Sequence, residues 1–315
     1  MKVLVTGSSG HLGEALMRTL QGTSHEAIGL DRLASPYTAR VGTIADRDFV
    51  RRCMHGVDAV IHAATLHKPH VLTHTKQDFL DTNVTGTLNL LEESASAGVS
   101  SFVFTSTTSA FGLALAPPPE APAVWITEDV RPVPKNIYGV TKTAAEDLCE
   151  LYCGRHRLAC VILRTSRFFP EEDDDPVVRA AYDDGNVKAN ELLYRRVDLF
   201  DVVDAHVLAL EKAPSIGFGR YIISATTPFQ RDDLADLRQN APKVTARWVP
   251  EYVEEYARRG WKMFPGIDRV YVNERARRDL GWQPRYDFRR VIDCLTAGDA
   301  ARSPLARAVG SKGYH

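Results

Sequence analysis

The chain of 315 residues opens on an apolar strand, Lys2-Val3-Leu4-Val5-Thr6, that runs straight into Gly7-Ser8-Ser9-Gly10-His11-Leu12-Gly13. Leu12, Ala15, Leu16 and Leu20 then recur at helical spacing. A strand, a turn with glycines at this spacing and a helix constrain the fold more than any other feature of the sequence. The glycines allow a tight turn and let a ligand approach the helix start, where exposed N–H groups and the helix dipole favour an anion. Asp31 follows eighteen residues after Gly13, closing the apolar run Ala27-Ile28-Gly29-Leu30. A carboxylate there accepts the ribose hydroxyls of a bound dinucleotide. It also repels a 2′-phosphate, which favours NAD over NADP; Arg32 beside it works the other way, because a guanidinium accommodates phosphate. The bland alternative, a structural turn with a surface Asp, fits the flanking strand and helix less well.

The first half alternates strand and helix signals, the pattern of a doubly wound parallel sheet. Helices are predicted over about 46–55, over 77–97 with a stop at Gly98, and around Tyr138. Strands are predicted at 59–62, 101–106 and 159–163, and a proline-rich excursion runs from Pro117 to Pro134. The fold class expected is α/β, a Rossmann sheet with a smaller substrate-binding lobe. Residues 1–165, with later sheet elements around 197–225, make the dinucleotide domain; 166–196 and 226–300 make the lobe; 301–315 is a tail, frayed after Pro304. Glu171 to Asp175 are five consecutive carboxylates, read as a solvated loop. Trp248, Trp261 and Trp282 read as packing aromatics of the lobe.

Lys and Arg number 39 against 40 Asp and Glu, so no global field favours nucleic acid or an anionic membrane. No apolar run approaches the ~20 residues of a membrane span, and the first strand at the start of the sequence leaves no room for a signal peptide. Cys53, Cys149, Cys153, Cys160 and Cys294 match neither a zinc spacing nor a disulfide framework. They read as packed thiols in a reducing cytoplasm.

The chemistry points to Tyr138 and Lys142, which at i and i+4 share a helix face. An ammonium beside a phenol lowers a pKa that is ~10 when unperturbed, giving a general acid/base near neutral pH. Such a pair also occurs on ordinary amphipathic helices. The strand end Phe104-Thr105-Ser106-Thr107-Thr108-Ser109 adds hydroxyls at the carboxyl edge of a parallel strand, where open α/β sheets bind ligands.

These motifs together resemble the extended short-chain dehydrogenase/reductase superfamily, the NAD-dependent epimerase/dehydratase group, from residue 1 to about residue 290. The marks are Thr6-Gly7-x-x-Gly10-x-x-Gly13, Asp31, His62-Ala63-Ala64, Asn83-Val84-Thr85-Gly86-Thr87, Thr107, Tyr138-x-x-x-Lys142 and Arg164. Asp198-Leu199-Phe200-Asp201-Val202-Val203-Asp204 and Leu280-Gly281-Trp282-Gln283-Pro284 follow. The resemblance implies that Thr107 hydrogen-bonds the reacting oxygen, Tyr138 moves the proton, Lys142 tunes it and NAD carries the hydride. Asn83 would support the lysine region. The implied cofactor set is Gly7, Ser9, Gly10, His11, Leu12 and Gly13 of the turn, Asp31, Arg32 and Ile44, then Ala63, Ala64, Thr105 and Phe168, with Tyr138 and Lys142. The implied substrate set is Thr65, His67, Thr107, Thr108, Phe169 and Arg196. No metal is implied. A homodimer is implied through helices 77–97 and 137–155.

Departures narrow the reaction. Dehydratases of this group carry Asp-Glu after the strand-end Thr; Thr108 and Ser109 stand here, so elimination of water is not expected. Val197 stands where nucleotide-sugar members have a phosphate-binding Arg, with Arg196 one residue early, and Met263-Phe264-Pro265 replaces a second such Arg. Arg179, Arg195, Arg196 and Arg231 are the arginines whose orientation bears on substrate choice. His67, His70 and His74 cluster in a loop that lines the pocket in relatives; substrate contact is expected of them rather than a metal. The expectation is hydride transfer at a secondary alcohol or carbonyl of a sugar, sugar acid or similar polar molecule. The alternatives are a UDP-sugar 4-epimerase with tightly held NAD and a non-catalytic dinucleotide sensor.

Overall fold

A computed structural model describes residues 1–313. Seven parallel strands form one sheet in the order β3-β2-β1-β4-β5-β7-β8. They are β1 (Lys2–Thr6), β2 (Glu26–Asp31), β3 (Arg40–Val41), β4 (Ala59–His62), β5 (Ser101–Thr107), β7 (Cys160–Thr165) and β8 (Phe218–Ile223). The central strands β4, β5 and β7 are buried throughout, as continuous apolar runs covered on both faces require. Chain order reverses between β1 and β4, where Thr6 pairs with His62, and a reversal of this kind opens a crevice at the strands' carboxyl ends.

Helices cover both faces. α1 (His11–Leu20) and α8 (Leu199–Ile216) pack on one, in a core with Val3, Val5, Ile61, Val103 and Val161. α2 (Arg47–Cys53), α4 (Gly86–Ala97) and α5 (Ile137–His156) pack on the other, over Leu4, Val60, Phe102 and Ile162. The helix expected over 77–97 is one run made of α3 (Lys76–Phe79), a π turn at Leu80–Thr85 and α4. A π turn widens the helix locally, and here it carries the buried Asn83.

A second apolar core holds Leu193, Phe229, Leu237, Tyr256, Val270 and Phe288. It gathers α7 (Asp184–Leu192), α9 (Leu234–Trp248), α10 (Glu251–Arg259) and α12 (Phe288–Ala297), next to a two-stranded parallel ribbon of β6 (Val124–Ile126) and β9 (Arg269–Tyr271). α6 (Pro176–Ala181) precedes α7, and α11 (Glu274–Leu280) follows β9.

Two expectations change here. The segment expected to fray forms a helix over its first described residues: Ser303 caps α13 (Pro304–Val309), whose Ala306 and Val309 are buried in the sheet core, while 314–315 lie outside the described residues. Trp282 belongs to that core too, not to the smaller lobe with Trp248 and Trp261. Its indole N–H donates to the Asp201 carbonyl at 2.9 Å, and the Asp201 carboxylate accepts the backbone N–H groups of Arg285 and Tyr286. The motifs Asp198–Asp204 and Leu280–Pro284 are therefore one docking joint. Replacing Trp282 with Ala removes a fully buried ring and its bond, and should destabilise the protein by about 3–5 kcal/mol. Urea unfolding followed by fluorescence checks this; a loss below about 1 kcal/mol would mean that the joint contributes little.

Candidate active site

At the crevice, the turn after β1 packs backbone on backbone. Gly7 has φ +77, and a Cβ there would lie 2.8 Å from the Ala64 nitrogen; a Cβ on Gly13 would fall 1.8 Å from the Gly7 oxygen. The turn is thus pressed between the β4 end and the first turn of α1. The Asp31 carboxylate bridges to it by accepting from the Ser9 N–H at 3.0 Å and the Leu33 N–H at 3.1 Å. The β4 end is tied in through a dry relay. Thr6 Oγ1 accepts the Ala64 N–H and lies 2.8 Å from His62 Nδ1, while His62 Nε2 lies 2.9 Å from Thr87 Oγ1. Thr87 donates onward to the Asn83 carbonyl, so its hydroxyl is an acceptor toward His62. That chain of donors is consistent with a neutral His62 protonated on Nε2.

Two adjoining cavities of about 300 and 210 Å3 share the walls Gly7, Gly10, His11, Ala63, Thr65, His67 and Phe169. The smaller one also takes in Ser9, Asp31, Arg32, Ile44 and Ala64. The larger one adds Leu12, Gly13, Thr105, Thr107, Thr108, Tyr138 and Phe168. Every residue of the expected cofactor and substrate sets lines one of them except Lys142 and Arg196. The fit to a dinucleotide rests on three things: the glycine cradle, the α1 N-terminus, and the His11 ring, both of whose nitrogens are buried without a partner. His11 lies against Phe168 and Phe169, ring centroids 6.0 and 5.9 Å away.

Lys142 sits behind the pocket wall. Its Nζ donates to the Thr105 carbonyl at 2.5 Å and lies 4.1 Å from the centre of the Phe104 ring. Burial pushes its pKa down to about 7, against the opposing pull of Glu146. Tyr138 is hydrogen-bonded to Thr107, yet burial outweighs that bond and lifts the phenol to about 12. This reverses the expectation drawn from i, i+4 spacing. Burial is the largest cause of the shift, and Thr107 opposes it. Asn83 has the supporting place expected of it: Nδ2 donates to the Leu66 carbonyl and to Thr141 Oγ1, and Oδ1 accepts from Leu66 N–H and Thr65 Oγ1.

Arg196 is a second correction. It lines neither cavity; Nε donates to Glu191 at 2.7 Å and Nη1 to the Phe169 carbonyl at 3.0 Å. Its neighbour Arg195 lines the larger cavity, with Arg167, Arg269 and Tyr271. Of the other two arginines, Arg179 donates to the Asp173 carbonyl and Arg231 lies over Trp125. The five carboxylates are not all solvated. Asp173 is buried against Arg167 at 2.7 Å, and Glu171, Glu172 and Asp174 line the larger cavity. Burial raises Glu191, but Arg196, Arg195 and Arg167 outweigh it and hold its carboxyl below the usual range.

Sequence reasoning missed a buried triad beneath the site. Ser106 Oγ donates to Glu146 at 2.6 Å, and Arg164 grips the same carboxylate at 2.7 Å while stacking on Phe111. Glu146 lies at i+4 from Lys142 on the same buried face, so its spacing was a usable signal. Tyr271, whose hydroxyl bonds Thr108, and Arg269 carried none. The His67 and His70 rings stack with centroids 5.7 Å apart, and His74 meets His70 edge-on at 5.0 Å.

A model of the NAD dependent epimerase/dehydratase family matches residues 3–223. The chain belongs to that family. It is 27% identical to a UDP-glucose 4-epimerase of Streptomyces lividans over 93% of this chain and 94% of that protein. A short-chain dehydrogenase/reductase superfamily protein of Agrobacterium tumefaciens, solved with bound NAD, superposes with TM-score 0.64 at 24% identity, covering 98% of this chain and 99% of that one. A UDP-glucuronic acid 4-epimerase of Bacillus cereus, solved with UDP-glucuronic acid and NAD, gives TM-score 0.62 at 20% identity, covering 94% and 97%. At such identities the two structures establish the shared fold.

Several histidines of the site are held neutral by burial: His11 and His206 are pushed down to about 4, His67 to about 3. His206 Nε2 lies 2.8 Å from Thr105 Oγ1 and Nδ1 2.7 Å from the Val202 carbonyl. An unfolded histidine takes up its proton near ~6.5. Between there and about 4 the unfolded chain therefore binds more protons, and stability present above ~6.5 is lost as pH falls. Denaturant midpoints from pH 7 to 4 should show that decline, and His206→Gln, which takes up no proton there, should decline less steeply. An unchanged slope would remove His206 from the groups responsible.

Proposed function

We propose that this family member is an NAD-dependent oxidoreductase acting at a secondary alcohol or carbonyl of a sugar, sugar acid or similarly polar molecule. The observation that carries this reading is that Thr107 and Tyr138, hydrogen-bonded to each other, line the same cavity as the glycine turn and Phe168. NAD bound in that cleft would supply the hydride acceptor, and the reduced form the donor. Ser9, Gly10 and His11 would face the pyrophosphate, and Asp31 the adenosine ribose. Thr107 would orient the reacting oxygen. A neutral Tyr138 is ready to donate its proton to a forming alkoxide; in the reverse direction it must first lose one. Lys142 holds the Thr105 carbonyl, so its first role is to position the strand end that carries Thr107. Ser109 N–H, donating to Thr107 Oγ1 at 3.0 Å, fixes that hydroxyl further.

The second reading, a UDP-sugar 4-epimerase, is favoured by the name of the Streptomyces relative, which aligns nearly end to end. Against it stands Arg196, which turns from the cavity to Glu191; the carboxylates Glu171, Glu172 and Asp174 share the larger cavity's wall with Lys68, Lys135, Arg167, Arg195 and Arg269, so charge there favours neither reading. A reducing cytoplasm suits the unpaired thiols. A homodimer through the α4 and α5 faces belongs to the same reading; Val140 and Leu151 on α5 are about half exposed, at 48% and 49%.

Purified protein given candidate sugars and NAD should accumulate NADH absorbance. Inversion of the sugar without net NADH would instead establish the epimerase. Tyr138→Phe should lower kcat by roughly 10²–10⁴ with NAD affinity unchanged, and full turnover in that variant would exclude Tyr138 as proton carrier. NAD should bind more tightly than NADP; the opposite order would mean that Arg32 outweighs Asp31.

A further inference from the structure

The segment after α13 turns back over the dinucleotide cleft. Gly310 and Gly313 take left-handed φ values of 64° and 69°, and between them Lys312 comes to line the cavity of the glycine turn. Ser311 Oγ donates to Glu171 Oε1 at 2.7 Å, and Lys312 Nζ pairs with Glu14 in the first turn of α1. Lys312, Gly313 and Glu171 line the same cavity wall as Gly7, Ser9 and Gly10. The wall also holds two buried polar groups with no partner, the His11 ring nitrogens and Glu171 Oε2.

Charge decides what this arrangement suits. A pyrophosphate at the α1 N-terminus would lie near the Glu171 and Glu14 carboxylates, which repel it. Among the described residues lining this smaller cavity, the lysines and arginines are Arg32 and Lys312. Arg32 adjoins Asp31, at the adenosine end. Glu14 already has a second cation, because Arg18 pairs with it at 2.8 Å; Lys312 can leave it without stranding a buried charge.

We propose that Lys312 is a pyrophosphate-binding residue of the dinucleotide cleft, carried there by the segment after α13 and exchanging Glu14 for phosphate when the dinucleotide binds. The proposal rests on the dinucleotide reading above. It makes α13 an anchor: Ala306 and Val309 are buried against the sheet core, and Ser303 N–H donates to Asp198 at 3.1 Å.

The test is binding to the full chain by calorimetry, with ADP-ribose as the probe that carries the pyrophosphate and adenosine as the probe that lacks it. Lys312→Ala should weaken ADP-ribose about tenfold, a loss typical of one charge-assisted contact, and leave adenosine unchanged. Lys312→Arg should restore most of the affinity, and the gap between wild type and Lys312→Ala should shrink as salt rises. ADP-ribose bound equally by wild type and Lys312→Ala would overturn the proposal, and so would an equal loss for adenosine, which would mean that the segment only packs. Failure of the wild type to bind ADP-ribose or NAD is a separate result, and would sink the dinucleotide reading itself.

Discussion

The packing of the Gly7 to Gly13 turn against the β4 end, with no side chain between, is the constraint on which the site depends. The Gly7 oxygen occupies the space a Cβ on Gly13 would need, and Ala63 and Ala64 close the other side. That contact sets how far α1 stands from the sheet. It thereby sets where the α1 N-terminus points and how near any phosphate can come to its free N–H groups. Because β1 pairs with β4 and β4 with β5, the same contact fixes the turn relative to Thr107, two strands away. The glycines serve geometry first, and anion binding follows from it.

Beneath that surface the site is supported by polar groups held dry. Glu146 is 1% exposed, and Ser106, Arg164 and Arg220 converge on it. An isolated carboxylate so buried would be strongly disfavoured; with a bidentate guanidinium and a hydroxyl it becomes a rigid brace joining β5, α5 and β7. Lys142, one turn earlier on α5, gains from the same charge, since Glu146 opposes the desolvation that lowers its pKa. The amine is thereby held close to the Thr105 carbonyl, whose own hydroxyl His206 fixes. Tyr138, one turn earlier again on α5, has its phenol raised by burial and lowered in part by its bond to Thr107.

Much of this was legible in the sequence because the turn, Asp31, the strand-end hydroxyls and the Tyr138 helix are encoded by short-range spacing, and a parallel sheet brings strand ends together by rule. What was not legible depended on contacts across long separations. Arg195 and Arg196 are adjacent, yet one lines the cavity and the other turns to Glu191; which does which is decided by the irregular turn after α7, not by any periodicity. Tyr271 reaches Thr108 only because β9 pairs with β6 in the smaller lobe. Trp282 lies far along the chain but docks on Asp201 in the main body. The α13 segment was misread for a different reason. Ser303-Pro304 is a readable cap and first-turn signal, but one short helix is stable only if something covers its apolar side, and the groove beside α1 and α8 that does so is a product of the whole fold.

The pattern of charge along the crevice separates two tasks. The turn from Gly7 to Gly13 carries no acidic side chain, lysine or arginine, and a carboxylate nearby, Glu171, is bonded by Ser311. At the other end, Arg167, Arg195 and Arg196 share the two carboxylates of Asp173 and Glu191, so the cluster keeps one net positive charge spread over paired guanidiniums. A guanidinium so engaged binds by directed N–H donation more than by field. A ligand recognised there gains most by offering acceptors in defined places, whether hydroxyls or phosphate oxygens.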